Sequence, residues 1–229
     1  MSASLFIVTG TDTGVGKTVL TALLARYLRE QGVAVAALKP VCSGDRADAR
    51  ALRSALDGAL TLDQINPWHF RAPLAPLLAA RRERRRVRLA DVLAHVRETQ
   101  RHFNVVLVEG AGGLLSPLGE NFNSRDLILA LLAVPVVVCP NRLGVVNHAL
   151  LTVEALPRDA ARRVQIVLMS PRQAGSVSQS NPRLLAEMLG NGRVRVLPRL
   201  APTRSPARVL TRAVRRTLDA LVSGRLEKR

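Results

Sequence analysis

An α/β fold with a mostly parallel central sheet is what these 229 residues predict. Apolar runs such as Val105-Val106-Leu107-Val108 and Val136-Val137-Val138 lack the polar alternation of a half-exposed strand. They read as strands buried on both faces. Stretches of helical spacing separate such runs, so strand and helix alternate along the chain and right-handed crossovers follow. The first strand then enters a glycine-rich loop that opens a helix, the arrangement of a phosphate cradle.

That first turn comes as Leu5 to Val8, then Thr9-Gly10-Thr11-Asp12-Thr13-Gly14-Val15-Gly16-Lys17-Thr18, then a helical pattern from Val19-Leu20 to Leu28. Glycine lets backbone N–H groups approach an anion, and the helix N-terminus adds partial positive charge. Lys17 is placed to reach the terminal phosphates, and the Thr18 hydroxyl to coordinate Mg²⁺. The spacing is one residue off the common form: counting back from Gly16 lands on Thr11, with the glycine at Gly10. A plain turn with a solvated Lys17 is the alternative, and the short hydrophobic strand before the loop argues against it.

The length suits one domain spanning residues 1–229, and an apolar content of 48% is ample for one core. No stretch reaches the roughly 18 apolar residues of a membrane span. Met1-Ser2-Ala3-Ser4 has no basic n-region, so no signal peptide is read and a cytoplasmic location is expected. Cys42 and Cys139 have no metal-binding spacing and read as reduced and structural. The net charge of +17 is carried almost entirely by arginine; the lysines are Lys17, Lys39 and Lys228. Retained lysines in an arginine-rich chain point to sites where a compact ammonium is needed. The basic surface attracts phosphate, but no recognition motif accompanies it, so nucleic acid is not the expected partner.

Past the first helix, Gly32 reads as its C-cap and Val33 to Leu38 as the second strand. Lys39-Pro40 ends that strand, and a loop Val41-Cys42-Ser43-Gly44-Asp45 follows. Ligands of open parallel sheets bind outside the carboxyl ends of strands, so Lys39 and Ser43 belong near the phosphate cradle. Asp48, among helix formers, is a candidate oxygen ligand for Mg²⁺, with Asp45 its competitor. Residues 66–76 read as an irregular loop interrupted by Pro67, Pro73 and Pro76, with His69 structural or surface. Arg81 to Arg88 reads as a solvated turn before a helix from Leu89 to Gln100.

The strand Val105 to Val108 ends in Glu109-Gly110-Ala111-Gly112-Gly113. A carboxylate closing a buried strand beside a phosphate loop has the pattern of one facing Mg²⁺, and the glycines leave space for a ligand. A helix at 121–132 and a strand at 134–139 follow. Gly144 to Thr152 is a loop opening a helix, whose N-terminus is suited to a carboxylate. Asn147 alone would be an N-cap. A strand at 164–168, a helix at 182–189 and a strand at 194–197 continue the alternation, and 203–229 reads as one basic amphipathic helix.

Four stretches together resemble the dethiobiotin synthetase family: Gly10 to Thr18, Lys39 to Gly44, Val108 to Gly113, and Gly144 to Thr152. Asn66-Pro67 before an aromatic is similar too, and the likeness covers roughly residues 4 to 200. The resemblance implies a three-layer P-loop NTPase-like fold and ATP-dependent conversion of 7,8-diaminopelargonic acid and CO₂ to dethiobiotin, ADP and phosphate. It implies Lys39, Lys17 and Thr13 as catalytic residues, and Ser43, Thr13, Gly144 and Asn147 around the substrate. Nucleotide would lie on Gly14, Val15, Gly16, Lys17, Thr18, Val19, Asp48, Glu109, Gly110, Ala111, Gly112, Pro198, Arg199 and Leu200. Mg²⁺ would be held by Thr18, Asp48 and Glu109, and a homodimer would complete the site near the helix after Gly144. Ser170-Pro171-Arg172 replaces the family's base-contacting Asn-Asp type pair, so a relaxed nucleotide preference is expected. A related amide- or urea-forming P-loop ligase is the enzymatic alternative. A DNA-binding partitioning ATPase is the other, although that class carries a lysine where Asp12 stands.

Overall fold

The computed structural model describes residues 3–200 and 210–224. Six strands form one parallel sheet: β1 (Ser4–Gly10), β2 (Val35–Leu38), β5 (Val105–Glu109), β6 (Val134–Pro140), β7 (Gln165–Met169) and β8 (Val194–Leu197), in the order β2-β5-β1-β6-β7-β8. β1, β2 and β5 are buried almost end to end, as continuous apolar runs require. β1 lies between β5 and β6, and the chain leaves it toward β2 but later crosses to β6 and beyond. This reversal makes β1 the topological switch point, outside whose carboxyl end ligands bind.

Helix α1 (Lys17–Glu30) follows β1, and its end fits the glycine signal. Gly32 has φ 75°, its N–H bonds Arg29 O, and Val33 N–H bonds Leu28 O, a Schellman closure. With right-handed crossovers, α1 lies on one face of the sheet. On the other lie α5 (Leu89–Gln100), α6 (Ser124–Leu131), α7 (Val145–Glu154), α8 (Arg158–Arg163) and α9 (Ser176–Leu189). Contacts agree: α1 packs on α2 (Ala47–Ala55) and α10 (Arg212–Val222), α5 on α6, and α7 on α9.

Several boundaries differ from expectation. Val41–Ser43 is a strand, β3, paired in parallel with β4 (Trp68–Phe70) as a separate two-stranded sheet, where loops were expected. α3 (Leu62–Ile65) precedes β4 with a Thr61–Gln64 capping box, and α4 (Pro76–Arg82) begins on Pro76, which suits a first helical position. Pro182 lies inside α9 rather than at its start. The Ser178 carbonyl that Pro182 cannot serve accepts the Asn141 side-chain amide at 2.8 Å instead. Asn147 is inside α7, whose N-cap is Gly144 at φ 88°. The C-terminal helix spans Arg212–Val222 behind a Thr211 cap and is shorter than the expected 203–229; residues 201–209 and 225–229 lie outside the described residues. Val214, Leu218 and Leu221 are buried, and Asp219 accepts the Tyr27 hydroxyl at 2.9 Å.

Among the described residues, no helix is long and apolar enough to cross a membrane. Both cysteines are buried and unpaired, and burial pushes the Cys139 thiol up to about 12.

Candidate active site

The site lies where β1, β2 and β5 end. Gly16 caps α1 with φ 102°, a conformation that disfavours any side chain, and a Cβ there would come within 2.8 Å of Met169 Cε. No side chain caps α1, so its first N–H groups are left for a ligand. Lys17 Nζ donates to Asp12 O at 2.7 Å, folding the loop around its own lysine.

Across from the loop, β2 delivers Lys39. Its backbone is fixed by Lys39 N–H bonding Ile65 O at 2.9 Å and by the buried Asn66 amide donating to Lys39 O at 2.8 Å. The Lys39 ammonium bonds Glu109 Oε1 at 2.6 Å and Asp48 Oδ2 at 2.7 Å. The Thr18 hydroxyl donates to the same Glu109 oxygen at 2.7 Å. Two of the three residues expected to hold Mg²⁺ therefore grip one ammonium, and the third shares its Glu109 oxygen. Asp45, the competitor, also lines the cleft but pairs with Arg50, whereas Asp48 is the one held on the Lys39 ammonium.

Burial opposes the charge on Lys39, but the carboxylates of Glu109 and Asp48 outweigh it and hold the lysine above its ordinary range. Lys17 goes the other way: burial, then the nearby Lys39 ammonium, hold it below that range. Burial would raise Asp48, and Lys39 more than offsets this, leaving the carboxyl below the usual value. Burial raises the Cys42 thiol.

These groups line one cleft of about 760 Å³. Thr13, Gly14, Gly16, Lys17, Thr18 and Val19 form one wall; Lys39, Ser43 and Asp48 form another; Glu109, Ala111 and Gly112 close it. Val15 is buried under the loop against Gly10, and Gly110 is tied to β1 through Val8 O. Gly144 and Asn147 do not line this cleft, nor do Pro198, Arg199 and Leu200, which follow β8 three strands from β1. The sequence did not point to Pro73, Leu74, Ala75 and Pro76, which overhang the cleft, with Leu74 O accepting the Ser43 hydroxyl. Nor did it point to Ser116, whose hydroxyl accepts Gly113 N–H at 2.9 Å. Cys42, expected to be structural, also lines the cleft. His69 does not line this cleft; its Nε2 lies 2.7 Å from Gly44 O.

The donors fit a magnesium ion. Among the described residues no cluster of three or more His, Cys, Asp or Glu could hold a metal unaided, but Mg²⁺ is usually bound by one or two carboxylates plus phosphate oxygens and water. Glu109 Oε2 is buried without a hydrogen-bond partner, a carboxylate oxygen still open to a cation.

A strand, a glycine loop with Lys17 and Thr18, and a carboxylate on the adjacent strand define a P-loop nucleotide-binding protein. The family model described as an AAA domain matches residues 4–207. The chain is 38% identical over 201 residues to the ATP-dependent dethiobiotin synthetase BioD of Bacillus licheniformis, covering 85% of this chain and 86% of that one. It is 42% identical over 205 residues to the protein of that name from an Anaeromyxobacter species, covering 87% and 91%. The chain belongs to the dethiobiotin synthetase family. Among solved structures it resembles the MinD cell division protein of Aquifex aeolicus, with a TM-score of 0.60 at 16% identity over 96% of this chain and 95% of that one. At that identity the likeness concerns the fold alone.

Proposed function

We propose that this chain is an ATP-dependent dethiobiotin synthetase acting through the cleft between Lys17, Lys39 and Glu109. Family membership makes biotin synthesis its function and ATP its co-substrate. The observation that carries the site is the chain of contacts from Thr18 to Glu109, from Glu109 to Lys39 and from Lys39 to Asp48 beyond the carboxyl ends of β1, β2 and β5.

One amine of 7,8-diaminopelargonic acid takes up CO₂ as a carbamate. A carbamate oxygen attacks the γ-phosphate and ADP leaves. The second amine attacks the carbonyl carbon, the ring closes as a cyclic urea, and phosphate departs. Carbamate and triphosphate are both anions, so cations must lie between them. Lys17 serves the phosphates, and Lys39 faces both anions. Thr13 and Ser43 hydrogen-bond the carbamate, and the N–H groups from Gly14 to Val19 cradle the phosphates. Thr18, Asp48 and Glu109 would hold Mg²⁺, which supplies charge neutralisation on the phosphate oxygens when bound. Positioning and electrostatics carry most of the rate.

Gly144 and Asn147 stand at a helix N-terminus outside the cleft. They would take the substrate carboxylate of a second copy, which makes the active form a homodimer. Pro198, Arg199 and Leu200 would border the base, with Ser170 and Pro171 allowing nucleotides other than ATP. The whole chain is read as one domain, since one core runs from Leu5 to Val222.

Incubation with diaminopelargonate, bicarbonate, Mg²⁺ and a panel of nucleoside triphosphates should release phosphate and dethiobiotin together. No dethiobiotin with any triphosphate would refute the assignment.

A further inference from the structure

We propose that Lys39 is the resident counter-ion of the carboxylates assigned above to Mg²⁺, and that the metal of the nucleotide replaces this ammonium rather than joining it. This role for Lys39 rests on that assignment of Thr18, Asp48 and Glu109.

One ammonium touches two of the three residues, at 2.6 and 2.7 Å, and shares its Glu109 oxygen with the third. Lys39 and Glu109 are both buried, so the pair is shielded from competing water and salt. An ammonium is a compact point charge, and on two carboxylates it imitates a small cation. Magnesium taken up on the free Oε2 of Glu109 would stand within a few ångströms of the ammonium held on Oε1 of the same buried carboxylate, and two cations repel strongly at that range.

Without nucleotide, two carboxylates and a hydroxyl are a poor magnesium site, and a tethered lysine outcompetes the ion for them. A triphosphate adds further oxygens and tips the balance. The displaced ammonium then turns into the cleft it already lines, beside Ser43. The backbone hydrogen bonds of Lys39 to Ile65 and Asn66 need not break, so the exchange is a side-chain rotation. Lys39 thus becomes available to a substrate anion only after metal and nucleotide have arrived, which orders binding.

The test titrates Mn²⁺ into the nucleotide-free protein and follows free Mn²⁺ by electron paramagnetic resonance. Lys39→Met should bind Mn²⁺ roughly ten-fold or more tightly than wild type, at least about 1.4 kcal/mol. The double variant Lys39→Met/Asp48→Asn should lose the gain. Mn²⁺ should raise the melting midpoint of Lys39→Met and leave wild type almost unmoved at the same concentration. Should Lys39→Met fold only with Mn²⁺, the exchange is supported; if Mn²⁺ does not restore folding, it is overturned. Equal Mn²⁺ affinity in wild type and Lys39→Met also overturns it. Adding a non-hydrolysable ATP analogue separates the two assignments: nucleotide-dependent Mn²⁺ binding that survives Glu109→Gln and Asp48→Asn would sink the metal assignment itself.

Discussion

Lys39 and Glu109 form a 2.6 Å ion pair in which both side chains are buried. Removing one partner of such a pair leaves a buried charge and typically costs about 3–5 kcal/mol. Lys39→Met should be the costlier change, because Glu109 loses its cation while Lys39 in Glu109→Gln still has Asp48. The double variant should cost less than the sum of the two, with a coupling of about 0.5–3 kcal/mol. Urea denaturation measures this, and strict additivity would mean the pair is not formed in solution.

Lys17 and Lys39 deviate in opposite directions, and pH separates them. Lys17 is held low by burial and by Lys39, so it loses its proton below the ordinary lysine value of about 10.4. In that window the unfolded chain binds the extra proton, so raising pH stabilises the nucleotide-free protein through this group. Nucleotide affinity should fall over the same window, because the phosphates lose a cation. The difference between wild type and Lys17→Met, by calorimetry and thermal melts from pH 8 to above 10, should show both trends. On the acid side Asp48 is depressed, so its contribution is present above the usual carboxylate value of about 3.9 and fades as pH falls through its folded value.

Asn141 supports α9 at its proline. Its amide serves the Ser178 carbonyl, and its Oδ1 accepts the Asn181 amide at 2.9 Å. Asn141→Ala should therefore cost about 1–3 kcal/mol. Pro182→Ala restores an N–H able to bond Ser178 O, so it should recover part of that loss in the Asn141→Ala background. No recovery would mean that Ser178 O is served by water.

This pairing explains why the start of α9 was not legible. Proline argues for a helix start, and only a side chain some forty residues away makes an interior position tolerable. The parallel sheet was legible because its strands are continuous apolar runs that nothing else accommodates. β3 and β4 were not: strands of three residues, each bordered by proline, carry no periodicity and are stabilised by each other. α8 was missed because four arginine or aspartate side chains fill a single exposed turn and a half, leaving little apolar pattern. In the site, Lys39 and Glu109 stood out because charge at the end of a buried strand needs a reason, and Thr18 because it follows the lysine of a phosphate loop; Asp48, among the helix formers of α2, was left in competition with Asp45. Ser116 and the Pro73–Pro76 overhang were not legible, since loop residues reach the cleft only through tertiary packing.

Gly110 has an ordinary φ, yet a Cβ there would run into Ser124 Oγ, a buried hydroxyl without a hydrogen-bond partner. Gly110→Ala should destabilise by about 1–3 kcal/mol through overpacking. Ser124→Ala, near neutral alone, should relieve most of it, leaving ordinary contacts with the residue 124 Cβ at 3.5 Å and Val8 O at 3.8 Å. Denaturation midpoints of the three variants decide this; no rescue would place the strain elsewhere.

The central claim is that a carbamate oxygen, held between Lys39 and the phosphates, attacks the γ-phosphorus. A brief turnover with ¹⁸O-labelled CO₂ in unlabelled water tests it by mass spectrometry of the released phosphate. One ¹⁸O per phosphate, formed in step with dethiobiotin, is the expected result. Phosphate carrying only unlabelled oxygen would mean that water, not carbamate, attacks ATP in this cleft, and would contradict the account.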